Sequence, residues 1–312
     1  MSAIGGYFEL ELNKNGEYHQ DAIRLNTGRN ALEYIILANN YKKIYIPYFT
    51  CGVLLQPLNK NNITYEFYHI DENLEPVFDF SKIKDEAFLY TNYFGLKDNY
   101  ILNLSGKCKN LVIDNAQAFY ANPIKGLNTF YSPRKFFGVS DGAYLFTDKT
   151  LKTTLKKDQS YQRFQHLLQR IDESAEQGYS SFIKNENLLN DLPIMEMSAV
   201  TQKLLAAIDY KEVALKRITN FEYLEKHLKG INNVTFKLNK GQVPMVYPLL
   251  TDDLGLRDKL IKHKIYTGHY WDEVNNLVTK NSNEYTFANK LVHLPIDQRY
   301  TEDNLAKIID IL

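Results

Sequence analysis

The chain has 312 residues, enough for one large domain and a smaller one, and carries 37 Lys+Arg against 37 Asp+Glu. A formal charge of zero supplies no global field for nucleic acid or an anionic membrane, so any anion must be bound locally. Two cysteines, Cys51 and Cys108, are too few and too isolated for a disulfide framework or a structural zinc site, and no metal is expected.

The N-terminal stretch MSAIGGYFELELNKNGEYHQ lacks a basic segment followed by an apolar one. No apolar run reaches the roughly 18–20 residues of a membrane span, so a soluble cytoplasmic protein is expected. Next, NTGRNALEYIILANNY reads as a cap, Asn26 or Thr27, followed by a helix with apolar positions at Leu32, Ile35 and Ile36. KKIYIPYF predicts a strand stopped near Pro47, CGVLLQPL a helix, and ITYEFYHI another strand. EAFLYTNYFG, NLVIDNAQ and GAYLFTD continue the strand series, each closed by polar residues or Gly. Alternating strands and helices predict an α/β fold with a mostly parallel sheet, whose ligands collect at the carboxyl ends of the strands.

After Thr150 the pattern turns helical, from QSYQRFQHLLQRIDESAEQG to the long stretch MSAVTQKLLAAIDYKEVALKRITNFEYLEKHLKG, with Gly230 as its stop. The remainder alternates strands and helices on a smaller scale and reads as a small α+β domain. The division runs between a large domain at 1–200 and a linking helix with the small domain at 201–312.

Lys135 sits in SPRKFF, between a basic turn and two aromatics. Desolvation lowers an ammonium's pKa, and the neutral amine then attacks a carbonyl, which is what a Schiff-base lysine requires. A surface lysine in a basic turn is the plainer reading. Asp114 closes the apolar run LVID, where a carboxylate can hold the protonated pyridine nitrogen of pyridoxal 5′-phosphate (PLP); a turn or N-cap role is the alternative. Gln117, three residues on, is placed to reach the ring oxygen. Thr27, Gly28 and Arg29 start a helix, where free N–H groups and the dipole favour a phosphate and Arg29 adds a charged fork; taken alone, they are an ordinary capped helix.

Two matches on this segment are decoys. GVSDG, Gly138 to Gly142, has the G-x-S-x-G form around Ser140, yet AYLFT after it is strand-like where the nucleophile elbow needs a helix. SPRK has the S-x-x-K form, but K-T-G is absent. Neither G-x-G-x-x-G nor a P-loop occurs. His263, His269 and His293 lack metal-like spacing and read as ordinary residues, with His269 and Tyr270 in YTGHYW placed toward a cleft.

In order and spacing these residues resemble the DegT/DnrJ/EryC1/StrS family of fold-type-I, PLP-dependent sugar aminotransferases, over almost the whole chain. The family's phosphate-binding turn is matched by Thr27-Gly28-Arg29, its P-x-x-T-aromatic strand end by Pro47 to Cys51, and its E-D-A-A-[QH] by Ile113 to Gln117. Its K-x-x-x-x-x-[ED]-G-G is matched by Lys135 followed by Asp141-Gly142-Ala143, and its L-P-[LI] by Leu294-Pro295-Ile296. Departures are equally specific. Cys51 replaces the ring-stacking aromatic, leaving Tyr93 or Phe94 for that role. Phe130 replaces the serine five before the lysine, with Ser132 three before it instead. Met195-Glu196 replaces the partner-subunit Tyr-Asn.

The resemblance implies a homodimer that binds PLP, with Lys135 as Schiff-base lysine and proton-transfer base, Asp114 on the pyridinium and Gln117 on the ring oxygen. It implies Thr27, Gly28, Arg29 and Ser132 at the phosphate, Thr50 and Cys51 beside the cofactor, and Tyr93, His269 and Tyr270 toward the substrate. The implied reaction moves an amino group from an amino-acid donor such as glutamate to a keto sugar, nucleotide-linked in the family's manner. The departures keep open a noncatalytic PLP-fold binding or scaffold protein and a PLP enzyme acting on a non-sugar substrate, and a hydrolase using Ser140 is the third alternative.

Overall fold

The computed structural model describes residues 4–312. In chain order the first part contains β1 (Ile23–Leu25), α1 (Gly28–Asn39), β2 (Lys43–Pro47), α2 (Leu55–Lys60), β3 (Thr64–Ile70), β4 (Pro76–Val77), β5 (Ala87–Thr91), α3 (Asp98–Ser105), β6 (Leu111–Asn115), β7 (Asn128–Tyr131) and β8 (Ala143–Phe146). These strands form one sheet in the order β1-β8-β7-β6-β5-β2-β3-β4. From β3 through β7 neighbouring strands run parallel, while β8 is antiparallel to both β7 and β1.

The central strands β2, β5 and β6 are rich in buried apolar residues because both of their faces are covered, whereas β3, TYEFYHI, alternates buried or half-buried with exposed positions. Successive side chains point to opposite faces. Ile44, Ile46, Leu89, Val112, Phe130 and Leu145 therefore join one core layer with Leu32, Ile35 and Ile36 of α1. Their neighbours Tyr45, Phe88, Tyr90, Ile113, Tyr131 and Tyr144 fill the other layer. Phe130 lies under the start of α1, 3.8 Å from where a Cβ on Gly28 would stand. The anticipated serine position is thus a core position.

The second part contains α4 (Gln165–Asp172), α5 (Ala175–Leu188), α6 (Ala199–Ala206), α7 (Tyr210–Leu228), β9 (Val246–Leu250), α8 (Leu256–Lys262), α9 (Asn283–Lys290), β10 (Leu291–Pro295) and α10 (Glu302–Ile309). β9 and β10 pair antiparallel as a separate small sheet. Both long helical stretches expected from the sequence are broken by caps. Ser174 is extended and its side chain accepts from Gln177 N, separating α4 from α5. Asp209 accepts from the N–H groups of Lys211 and Glu212, separating α6 from α7. The division expected between residues 200 and 201 falls inside α6. That helix is fastened to the large sheet, because the buried Asp141 carboxylate accepts from both Ser198 N and Ser198 Oγ. No helix among the described residues is long and apolar enough to cross a membrane.

His19 is packed 4.1 Å from the Tyr131 ring and bonds Phe119 O at 2.7 Å, and burial pulls its pKa from 6.5 down to about 4. A depressed folded pKa means the unfolded chain binds the proton more readily, so this contribution is complete above pH 6.5 and is lost as pH falls toward 4. The melting temperature is expected to drop across that window, and to drop less steeply in His19→Gln, as read by calorimetry.

Candidate active site

The carboxyl ends of β2, β5, β6 and β7 and the start of α1 meet at one edge of the sheet, where open α/β folds bind ligands. Lys135 ends the short 3-10 turn Pro133–Lys135 that follows β7. Its side chain is exposed, and Nζ lies 5.9 Å from the centre of the Tyr270 ring. Asp114 is buried on the adjacent strand β6. Burial raises its pKa, while the Lys135 charge and the Ala116 N–H pull it back. Oδ1 accepts from Ala116 N at 2.8 Å, so one carboxylate oxygen closes the turn after β6.

Gln117 is held by its Oε1, which accepts from Phe94 N at 2.9 Å. This leaves Nε2 buried without a partner, and Thr50 Oγ1, at the end of β2, is buried without one as well. Orphaned buried polar atoms cost about 1–3 kcal/mol each, so these two are candidates for bonds from a ligand.

At the other pole, Thr27 is the N-cap of α1. Its hydroxyl accepts from Asn30 N at 3.2 Å and donates to Asn30 Oδ1 at 2.6 Å, which commits the side chain and leaves the Gly28 and Arg29 N–H groups to face outward. Gly142 joins this pole to the lysine turn: its N–H donates to Asn26 O at 2.6 Å, and its φ of +116° with Pro133 3.2 Å from a would-be Cβ excludes a side chain. Ser132 lies half-buried between Phe130's strand and Lys135. Arg29 turns sideways, with Nη1 donating to Gln56 at 2.7 Å and Asn190 at 2.6 Å.

Lys135, Asp114, Gln117, Thr50, Ser132 and the α1 start therefore share one edge, and Tyr270 faces it from the small domain. Other anticipated residues do not reach the cleft. Tyr93 is fully buried, stacked on Phe49, with its hydroxyl donating to Phe49 O at 2.8 Å. Phe94 is fully buried too, so neither presents a ring. His269 is turned away by bonds from both ring nitrogens, Nδ1 to Asp272 at 2.8 Å and Nε2 to Ala288 O at 3.2 Å. Cys51 is a partly buried free thiol beside Gly52, whose N–H donates to Glu273 of the small domain at 2.8 Å. Met195 lies along β1 of its own chain, accepting from Asn26 N at 3.0 Å. Ser140 is completely buried with its hydroxyl 3.4 Å from Asp141, and β8 rather than a helix follows it, which removes the elbow geometry.

A cleft of about 850 Å³ opens between Lys135 and the small domain, with Arg217, Tyr270, His293 and Arg299 in its wall. Sequence reasoning gave no role to Arg217 or Trp271 and read His293 as an ordinary residue. Arg217, in the buried face of α7, donates to Met245 O at 2.9 Å and Phe136 O at 3.3 Å. His293 is buried mid-strand in β10. Trp271, left-handed at φ 66°, packs edge-to-face with Phe49, the ring centres 4.5 Å apart. The available signal was a polar residue interrupting an apolar pattern, as His293 does in LVHLP.

The fold is shared with solved structures of aminotransferases. Solved structures of similar fold include a DegT DnrJ EryC1 StrS aminotransferase from Brucella abortus, at 14% identity and TM-score 0.61 over 93% of this chain and 84% of that one. The PLP-form of Spr1654 from Streptococcus pneumoniae matches at 14% identity and TM-score 0.63 over 93% and 85%. DesI, solved in the presence of its TDP-sugar product, matches at 13% identity and TM-score 0.62 over 93% and 79%. No protein-family model matches the chain, and no curated protein does.

Proposed function

We propose that the protein is a PLP-dependent aminotransferase that moves an amino group from an amino-acid donor to a keto sugar carried on a nucleotide. The observation that carries this reading is the juxtaposition of Lys135 with buried Asp114, beside the unpartnered Gln117 Nε2 and Thr50 Oγ1. These residues fit PLP, which when bound supplies an electron sink for a carbanion at the amino-bearing carbon. Lys135 would be the residue that holds the cofactor covalently through Nζ, and its amine would be the group that carries the proton to and from the substrate carbon. The Asp114 carboxylate would keep a proton on the ring nitrogen, and Gln117 Nε2 would donate to the ring oxygen. The Gly28 and Arg29 N–H groups with Ser132 Oγ would hold the phosphate. Thr27 acts through its cap, and Arg29 adds charge from beside Gln56.

The cleft favours an anionic substrate because basic groups outnumber acidic ones in its wall: Lys135, Arg170, Arg217, Lys264, Arg299 and Lys307 line it against Glu176, Asp297 and Asp310, and Arg299 is paired with Asp297 at 2.7 and 2.8 Å. The TDP-sugar of DesI is an anion of this kind. A homodimer agrees with the apolar surface of the α4–α5 hairpin, where Leu168, Ile171, Tyr179, Phe182 and Ile183 are exposed. Sedimentation is expected to give a dimer mass.

The function is tested by loading the protein with PLP, adding L-glutamate, and measuring stoichiometric 2-oxoglutarate release followed by amination of a nucleotide-linked keto sugar. Release without transfer to any keto sugar would leave a transaminase of another substrate class. No release with any amino acid would overturn the aminotransferase reading. Asp114→Asn is expected to separate stability from function. The raised carboxyl pKa means that its ionised form costs stability above the ordinary carboxylate range, so the neutral amide raises the melting temperature of the cofactor-free protein. The same change weakens turnover, because an amide cannot hold the ring-nitrogen proton.

A further inference from the structure

We propose that His293 Nε2 is the acceptor of a hydrogen bond from a hydroxyl group of the substrate, and so determines specificity for hydroxylated acceptors. The assignment rests on the sugar-aminotransferase reading. His293 lies in the middle of β10, between Val292 and Leu294, and is 3% exposed. Its Nδ1 bonds Gly268 O at 3.0 Å. A carbonyl only accepts, so Nδ1 carries the hydrogen and Nε2 presents a lone pair. That lone pair is buried and has no partner.

The ring cannot turn to find a partner. It is held at 4.2 Å from the Tyr270 ring and 5.3 Å from Phe94, and the Gly268 bond fixes its tautomer. The same residue lines the cleft into which Lys135 and Tyr270 project. Burial lowers the pKa to about 3, so the imidazole stays neutral and acts as an acceptor, with little strength as a base.

The missing partner is therefore a donor brought by the ligand. An ammonium would enter a wall in which basic groups such as Lys135, Arg170 and Arg217 outnumber the acidic Glu176, Asp297 and Asp310, and be disfavoured. A hydroxyl donates without adding positive charge. A site built to receive a hydroxyl also rejects the analogue lacking it, because the acceptor is then left buried and unpaired.

The variant His293→Asn keeps an N–H for Gly268 O and deletes the Nε2 acceptor, whereas His293→Gln extends an amide toward the same place. The measurement is calorimetric binding of UDP-, dTDP- and GDP-hexoses, and of the corresponding nucleoside diphosphates, to PLP-loaded protein whose Lys135 adduct has been verified. In the wild type a hexose nucleotide is expected to bind more tightly than its diphosphate. His293→Asn reduces that margin roughly tenfold, His293→Gln recovers part of it, and diphosphate affinity stays unchanged in both. An undiminished margin in His293→Asn, with the Lys135 adduct intact, overturns the assignment alone. A His293→Asn protein that folds but loses the adduct overturns it in favour of a structural role. If the wild type forms the adduct but no hexose improves on its diphosphate, the sugar reading fails and the assignment with it.

Discussion

Lys135→Ala protein is expected to form no reducible adduct with PLP and to lose turnover by about 10²–10⁴-fold from the missing proton-transfer group alone. The reason is positional. Lys135 is delivered by the turn after β7 to the edge where Asp114 ends β6, and it is the lysine whose charge acts on that buried carboxylate. Lys135→Arg keeps the cation but offers no nucleophilic amine at any accessible pH, so it should fail as completely. Transamination assays with added PLP, run beside borohydride reduction, measure both effects. Retained turnover in Lys135→Ala would remove the residue from the chemistry.

Arg217→Met is expected to lower stability by about 1–3 kcal/mol, the range for leaving a buried acceptor unpaired. The guanidinium, 1% exposed, stacks 4.5 Å over Phe136 and donates to Met245 O, Pro244 O, Phe136 O and Gln298 Oε1. Burying a cation opposes this gain, and burial lowers its pKa to about 10. The bonds decide the sign, because Met would strand the Met245 and Pro244 carbonyls inside the core. Phe136 follows Lys135 directly, so the variant should also reduce the yield of Lys135 adduct. Arg217→Lys offers one point charge for acceptors that the fork spans and is expected to recover little. Urea unfolding reads the first effect and peptide mapping the second. Stability equal to or above the wild type would show that the desolvation cost dominates.

The central strands were legible because both of their faces are buried, which gives LVIDN and AFLYT the unbroken apolar runs LVI and AFLY before their polar ends. β7, NTFY, escaped that reading: two of its four residues are polar, and it exists because β6 and β8 pair with it. The long helices looked continuous because Ser174 and Asp209 fit a helical pattern, yet each side chain serves a backbone N–H as a cap. In the site, Lys135, Asp114 and Gln117 were legible through type and spacing near strand ends. Tyr93 and His269 were misplaced because side-chain direction is set by tertiary partners: Phe49 O takes the Tyr93 hydroxyl, while Asp272 and Ala288 O take the His269 ring. His293 stands across an antiparallel bridge from Gly268, a neighbour pairing that no local pattern contains.

The most direct test of the central claim is the visible spectrum of the purified protein with added PLP, followed by borohydride reduction and peptide mass mapping. The account predicts a reducible absorbance band and the pyridoxyl mass on the peptide containing Lys135. No band, or label scattered over surface lysines, would contradict it.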